Sequence, residues 1–104
     1  MTQIKRGMTP TPTGMFVRGM CIPEDLSMTE IAKHLGVSRQ SVYALVNGER
    51  RLTLDMAKRI ELAFGTSAGL MLRQQAMYEQ WLADQKAQEL AETVIPFTRS
   101  DTAA

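Results

Sequence analysis

The chain lacks most of what a cofactor enzyme, a disulfide-stapled fold or a membrane protein would need. A single cysteine, Cys21, excludes an internal disulfide framework and fits a reducing compartment. The single histidine, His34, has no second ligand at metal spacing, and its i ± 4 neighbours Glu30 and Ser38 place it on a polar, exposed face. No apolar run approaches the roughly 18–20 residues that span a membrane. The N-terminal stretch carries Lys5 and Arg6 with no apolar segment behind them, so it does not read as a secretory signal. No glycine-rich phosphate loop follows a strand, and the carboxylates are scattered over expected helix surfaces. These absences argue against an enzyme, a catalytic site, a metal and a cofactor, and for a cytoplasmic protein without a membrane partner.

What is present is concentrated in Ser27–Gly48, SMTEIAKHLGVSRQSVYALVNG. Ser27 is a good N-cap, and Glu30 three residues later completes a capping box. Ile31, Ala32 and Leu35 then share one helical face. Gly36 ends that helix, because glycine takes the left-handed conformation without a Cβ clash. Ser38 caps a second helix running to about Asn47, with Val42, Leu45 and Val46 apolar. Ala32 is small where two helices cross, Val37 plugs their corner and Val42 faces the core. The pattern predicts a helix-turn-helix; a purely structural helical hairpin is the competing reading.

At 104 residues, 44% of them hydrophobic, the chain is one globular domain with room for tails. The net charge of +1 hides an asymmetry. Between Met28 and Ile60 six basic residues face three acidic ones, and from Glu61 onward three face six. Either the two halves meet different partners, or both are simply solvated faces.

In chain order, residues 1–13 contain Thr9-Pro10-Thr11-Pro12 and read as a flexible arm. A first helix is expected from Gly14 to about Ile22, burying Phe16, Val17, Met20 and Cys21. Met15, Met20, Met28, Met56 and Met71 fall at core-like spacings and are expected to fill gaps. Thr53 caps an amphipathic helix over Leu54–Phe64, with Leu54, Met56, Ala57, Ile60, Ala63 and Phe64 inward and Lys58, Arg59 and Glu61 outward. Thr66-Ser67 cap a last helix from about Ala68 to as far as Ala91, about 36 Å long at 1.5 Å per residue. That outruns a small domain, so Tyr78, Trp81 and Leu82 are candidates for a dimer interface, unless the helix folds back over the core. The domain thus spans residues 14–91, and residues 92–104 form an extended or disordered tail. Within it Val94-Ile95-Pro96-Phe97 suits a short edge strand or an extended peptide, docking on a partner or packing back on its own domain.

In a helix-turn-helix the second helix enters the major groove, led by its N-terminal residues. Arg39, Gln40, Ser41 and Tyr43 are therefore the candidates for reading bases. Arg pairs naturally with guanine O6 and N7, and Gln with adenine N6 and N7. Ser38 and Thr29 at helix starts, with Arg50 and Arg51 in the following loop, are the candidates for phosphate contacts.

The stretch from Gly14 to about Trp81, two-thirds of the chain, resembles the HigA-type antitoxins, or VapI family, within the Xre/Cro group of repressors. The resemblance rests on MTEIAKHLGVSRQSVYALVNGERRLTLDMAKRI and on FGTSAGLMLRQQAMYEQW. Relatives of this kind often show Phe-Trp where this chain has Leu70-Met71, and an acidic residue where it has Met15. The resemblance implies an all-α, five-helix, lambda-repressor-like domain with a long C-terminal helix and a short extended tail. It further implies a homodimeric repressor of double-stranded operator DNA, the operator palindromic, that binds a small toxin, usually a ribosome-dependent mRNA endonuclease. The acidic C-terminal half suits a basic partner of that kind. A stand-alone repressor without a toxin, and an interaction module that binds DNA weakly, are the alternatives.

Overall fold

Four hydroxyls fix where four of the helices begin. In a computed structural model, which describes residues 9–99, Ser27, Ser38, Thr53 and Ser67 each accept a hydrogen bond from the backbone N–H three residues on, all at 3.1 Å. At Ser27 the box closes both ways, since its own N–H donates to the Glu30 carboxylate at 2.8 Å. These caps open α2 (Met28–Leu35), α3 (Arg39–Val46), α4 (Leu54–Phe64) and α5 (Ala68–Ala91). Ahead of them α1 (Thr13–Phe16) runs directly into a wider π-helical turn, Val17–Cys21. The described residues contain five helices and no strand. Lys5, Arg6 and residues 100–104 lie outside them.

Three residues, Gly36–Ser38, make the turn between α2 and α3. Gly36 has φ of 71°, a conformation a Cβ would strain. The Val37 N–H then reaches back to the Ala32 carbonyl at 3.1 Å, closing the helix end. Ala32 is buried at the α2–α3 crossing, and Val37 packs half-buried against the core. That core lies among α1 to α4 and the first turns of α5. Its large members Val17, Ile31, Val42, Leu52, Ile60 and Met71 are each under 2% exposed. Gly14 marks a second close approach: a Cβ there would stand 2.1 Å from the Leu45 carbonyl oxygen. The start of α1 therefore rests on the backbone of α3.

Several side chains expected inside are outside. Met20 is exposed, although Phe16, Val17 and Cys21 pack as predicted. The π turn explains it: a wider turn advances fewer degrees per residue, so three steps from Val17 fall short of the core face. Met15 and Leu54 are also exposed. Leu54 is the first residue of α4 and points away from the core that Leu52, two residues earlier, enters. Val94–Phe97 neither pairs as a strand nor packs back on the domain; Ile95 and Phe97 are 88% and 80% exposed. Residues 11–13, read from sequence as arm, lie on the domain. Thr13 is buried in α1, and the Gln74 amide donates to the Thr11 carbonyl at 2.6 Å.

Only the first part of α5 is covered. Ala68, Met71 and Gln75 are buried, Tyr78 and Trp81 are half-buried, and every residue from Leu82 to Arg99 is exposed. The helix projects from the body, and the described residues extend over 63 × 29 × 24 Å.

Candidate nucleic-acid interface

α3 is held from behind and open in front. Val42, Ala44 and Leu45 are buried, while Arg39, Gln40, Tyr43 and Asn47 are exposed. Gln40, Tyr43, Ala44 and Asn47 follow an i, i+3, i+4, i+7 course, one continuous helical stripe. Together with Glu49 and Arg50 they line a shallow concavity. Ser41 is half-buried, and its hydroxyl accepts a hydrogen bond from the Ser38 hydroxyl at 3.0 Å. That leaves the Ser41 proton available to an acceptor such as guanine N7 or thymine O4. Ser38 is exposed at the N-terminus of α3, and Thr29 is exposed in the first turn of α2. Both helix starts present backbone N–H groups suited to phosphate.

The loop after α3 carries the two arginines differently. Arg50 is exposed beside the α3 stripe. Arg51 turns toward α5 and makes a bidentate pair with Glu79, Nε to Oε2 at 2.8 Å and a terminal guanidinium nitrogen to Oε1 at 2.7 Å. That pairing holds the Glu79 carboxyl below the usual glutamate range. One residue on, Leu52 is clamped by the buried Gln75 amide. The Leu52 N–H donates to Gln75 Oε1 at 2.7 Å, and Gln75 Nε2 donates to the Leu52 carbonyl at 2.9 Å. A small open cavity of about 190 Å³ lies here, bounded by Gly14, Arg51, Glu79, Tyr78 and Leu82.

A second tether was not legible as such. Arg59, expected to point outward, bridges α4 to the α2–α3 turn. It donates to the Leu35 carbonyl at 2.8 Å while its Nε meets Asp55 at 2.8 Å. Gln75 did carry a signal, since it falls one turn after Met71 on the buried face of α5. A polar side chain on that face needs a partner. Further along, Tyr78 and Trp81 stack with ring centroids 6.1 Å apart, and Leu82 is 38% exposed next to them. His34 is exposed and tilts against Phe64 at 5.9 Å. Cys21 is buried, and that burial pushes its thiol up. No described helix is long and apolar enough to cross a membrane.

Residues 20–70 match the helix-turn-helix family. YbaQ of Escherichia coli K12, described as an uncharacterized HTH-type transcriptional regulator, is 38% identical over 81 residues, which cover 78% of this chain and 71% of that one. The antitoxin GraA has the same fold with a TM-score of 0.74 and 25% identity, over 88% of this chain and 100% of that chain. Antitoxin HigA of Pseudomonas aeruginosa, solved with the higBA promoter, gives a TM-score of 0.69 and 26% identity, over 86% of this chain and 99% of that chain.

Proposed function

This chain belongs to the Xre-type helix-turn-helix transcriptional regulators, and we propose that it is a dimeric antitoxin that represses its own operon. In this reading α3 enters the major groove and the exposed stripe reads base edges. Arg39 pairs with guanine and Gln40 with adenine, each good bidentate contact giving roughly 1–3 kcal/mol of discrimination. Ser41 and Tyr43 read beside them. Thr29, Ser38, Arg50 and Arg51 hold the phosphate backbone. Two protomers joined through Tyr78, Trp81 and Leu82 set paired half-sites about 34 Å apart. The acidic C-terminal half meets a small basic ribonuclease toxin and neutralises it by binding, in the cytoplasm and without catalysis of its own.

The observation that carries the reading is the open α3 stripe beside Arg50, on a chain whose likeness to two antitoxins extends past that motif. The relation to YbaQ, described only as a transcriptional regulator, favours a second reading: a stand-alone repressor. The test is titration of the purified protein against a duplex from just upstream of its own gene and a scrambled duplex, at several salt concentrations. Expected are strong preference for the upstream duplex, a steep salt slope and two protomers per site. Equal, weak binding to both duplexes would remove the repressor role. Co-expression with the neighbouring short reading frame then separates the two readings. An antitoxin restores growth and co-purifies with that product; a stand-alone repressor does neither.

A further inference from the structure

The Arg51–Glu79 pair is the one long-range ion pair among those the described residues show; the other two, Lys58–Glu61 and Arg59–Asp55, lie within α4. It joins the loop behind the α3 stripe to α5 across 28 residues of sequence. Its geometry is what a guanidinium makes with a phosphate: two parallel N–H···O bonds to two oxygens of one anion. Yet it is exposed, with the Arg51 and Glu79 side chains at 63% and 40% relative accessibility. Exposed pairs hold weakly and exchange readily. The Gln75 clamp on Leu52, one residue away in the loop and one turn away in α5, is buried and does not share that lability.

The two contacts therefore divide the work. Gln75 fixes the loop backbone, and Glu79 occupies the arginine. Arg50, next in the loop, lines both the α3 concavity and the cavity against α5, so the loop forms the ridge between them. With Leu52 pinned, any displacement of the guanidinium falls to the Arg51 side-chain torsions rather than to the loop backbone. We propose that Glu79 is an internal stand-in for a DNA phosphate, which holds Arg51 in the free protein and gives it up when a duplex docks. The inference rests on reading this face as the DNA interface, and adds a competitor to it. Every duplex must displace the carboxylate, so Glu79 lowers affinity for all sequences alike.

The test is a double-mutant cycle of Glu79→Gln and Arg51→Ala, with Kd measured on the upstream and scrambled duplexes. Glu79→Gln should tighten binding to both by about two- to fivefold, the range set by a weak exposed pair. Arg51→Ala should weaken binding to both. In the Arg51→Ala background, Glu79→Gln should then change nothing. Weaker or unchanged binding by the single Glu79→Gln variant would overturn the proposal, as that outcome makes Glu79 a support for Arg51 or a bystander. An equal gain in both backgrounds would also overturn it, assigning the gain to removal of a negative charge near DNA. If the wild-type chain binds neither duplex, the DNA reading itself falls; if it binds and the cycle shows no coupling, only the exchange does.

Discussion

The body of the molecule and the projecting end of α5 draw on the same kinds of residue and reach opposite states. In the body Val17, Ile31, Ile60 and Met71 are almost completely buried. Past Trp81, Leu82, Leu90, Val94, Ile95 and Phe97 are 38–88% exposed. Burying a large apolar side chain is worth about 1.5–3 kcal/mol, so the body has realised that free energy and the distal stretch has not. The cause is geometry. The first turns of α5 lie against α4 and α1, but a 24-residue helix outruns them. Stability resides in the first region, and the second is left with unburied apolar surface.

That division is most sharply tested at Gly14. A Cβ there would meet the Leu45 carbonyl oxygen at 2.1 Å, and a backbone atom has no flexible side chain to yield. Gly14→Ala should therefore cost more than about 3 kcal/mol, read as a fall in the urea midpoint. DNA binding should suffer with it, because α3 is the element displaced. An unchanged midpoint would mean that α1 and α3 are not locked together.

The next effect belongs to the boundary between the regions. Gln75→Leu leaves the buried Leu52 N–H and carbonyl without partners, at about 1–3 kcal/mol for each group before any rehydration. A net loss of about 2–3 kcal/mol is expected in the same urea experiment. If stability is retained, the Gln75 clamp adds nothing to the other contacts that attach the first half of α5.

Gly14 also marks where the sequence stopped being legible. The caps at Ser27, Ser38, Thr53 and Ser67 and the stop at Gly36 are local features, each decided within a few residues. The inward faces of α2 and α3 follow from periodicity. Gly14, Arg59 and Arg51–Glu79 depend on elements that meet only in the folded chain. Met20 fails for a different reason, since its placement assumed α-helical winding where the backbone takes a π turn. On the interface side, the motif marked Arg39, Gln40 and Tyr43, which are exposed on α3. It did not reveal that Glu49 and Arg50 share a concavity with Gln40 and Tyr43, because that depends on how the loop returns beside α3.

In the distal region the comparison predicts the reverse pattern: loss of assembly without loss of folding. Trp81→Ala removes half of the stacked Tyr78–Trp81 pair. In the proposed dimer, a central interface aromatic is worth about 2 kcal/mol, roughly 30-fold in Kd. Sedimentation equilibrium should show that shift, while the melt of dilute protein, where protomers are already separated, should barely move. A variant that melts early yet self-associates normally would assign the stacked pair to the body.

The smallest expected effect is acid sensitivity, and it too should come from the body. The Ser27 backbone N–H, reinforced by its hydroxyl, lowers the Glu30 carboxyl; Lys58 lowers Glu61, and Arg51 lowers Glu79. A carboxyl depressed on folding contributes stability that is fully present above its unfolded value, here the ordinary 4.5, and is lost as pH falls through the lower folded value. The melting temperature should therefore be nearly level from pH 7 to about 5 and decline below it. Glu30 is exposed and Glu61 and Glu79 are only half-buried, so solvent screening keeps the decline shallow. Glu30→Gln keeps an acceptor on the capping box but removes its titration, so the variant should lose part of the slope. An unaltered slope would move the acid response out of the α2 cap and leave it with the two ion pairs. Since one of those pairs is Arg51–Glu79, the same titration run on Glu79→Gln separates an acid response of the helix cap from one seated at the loop after α3.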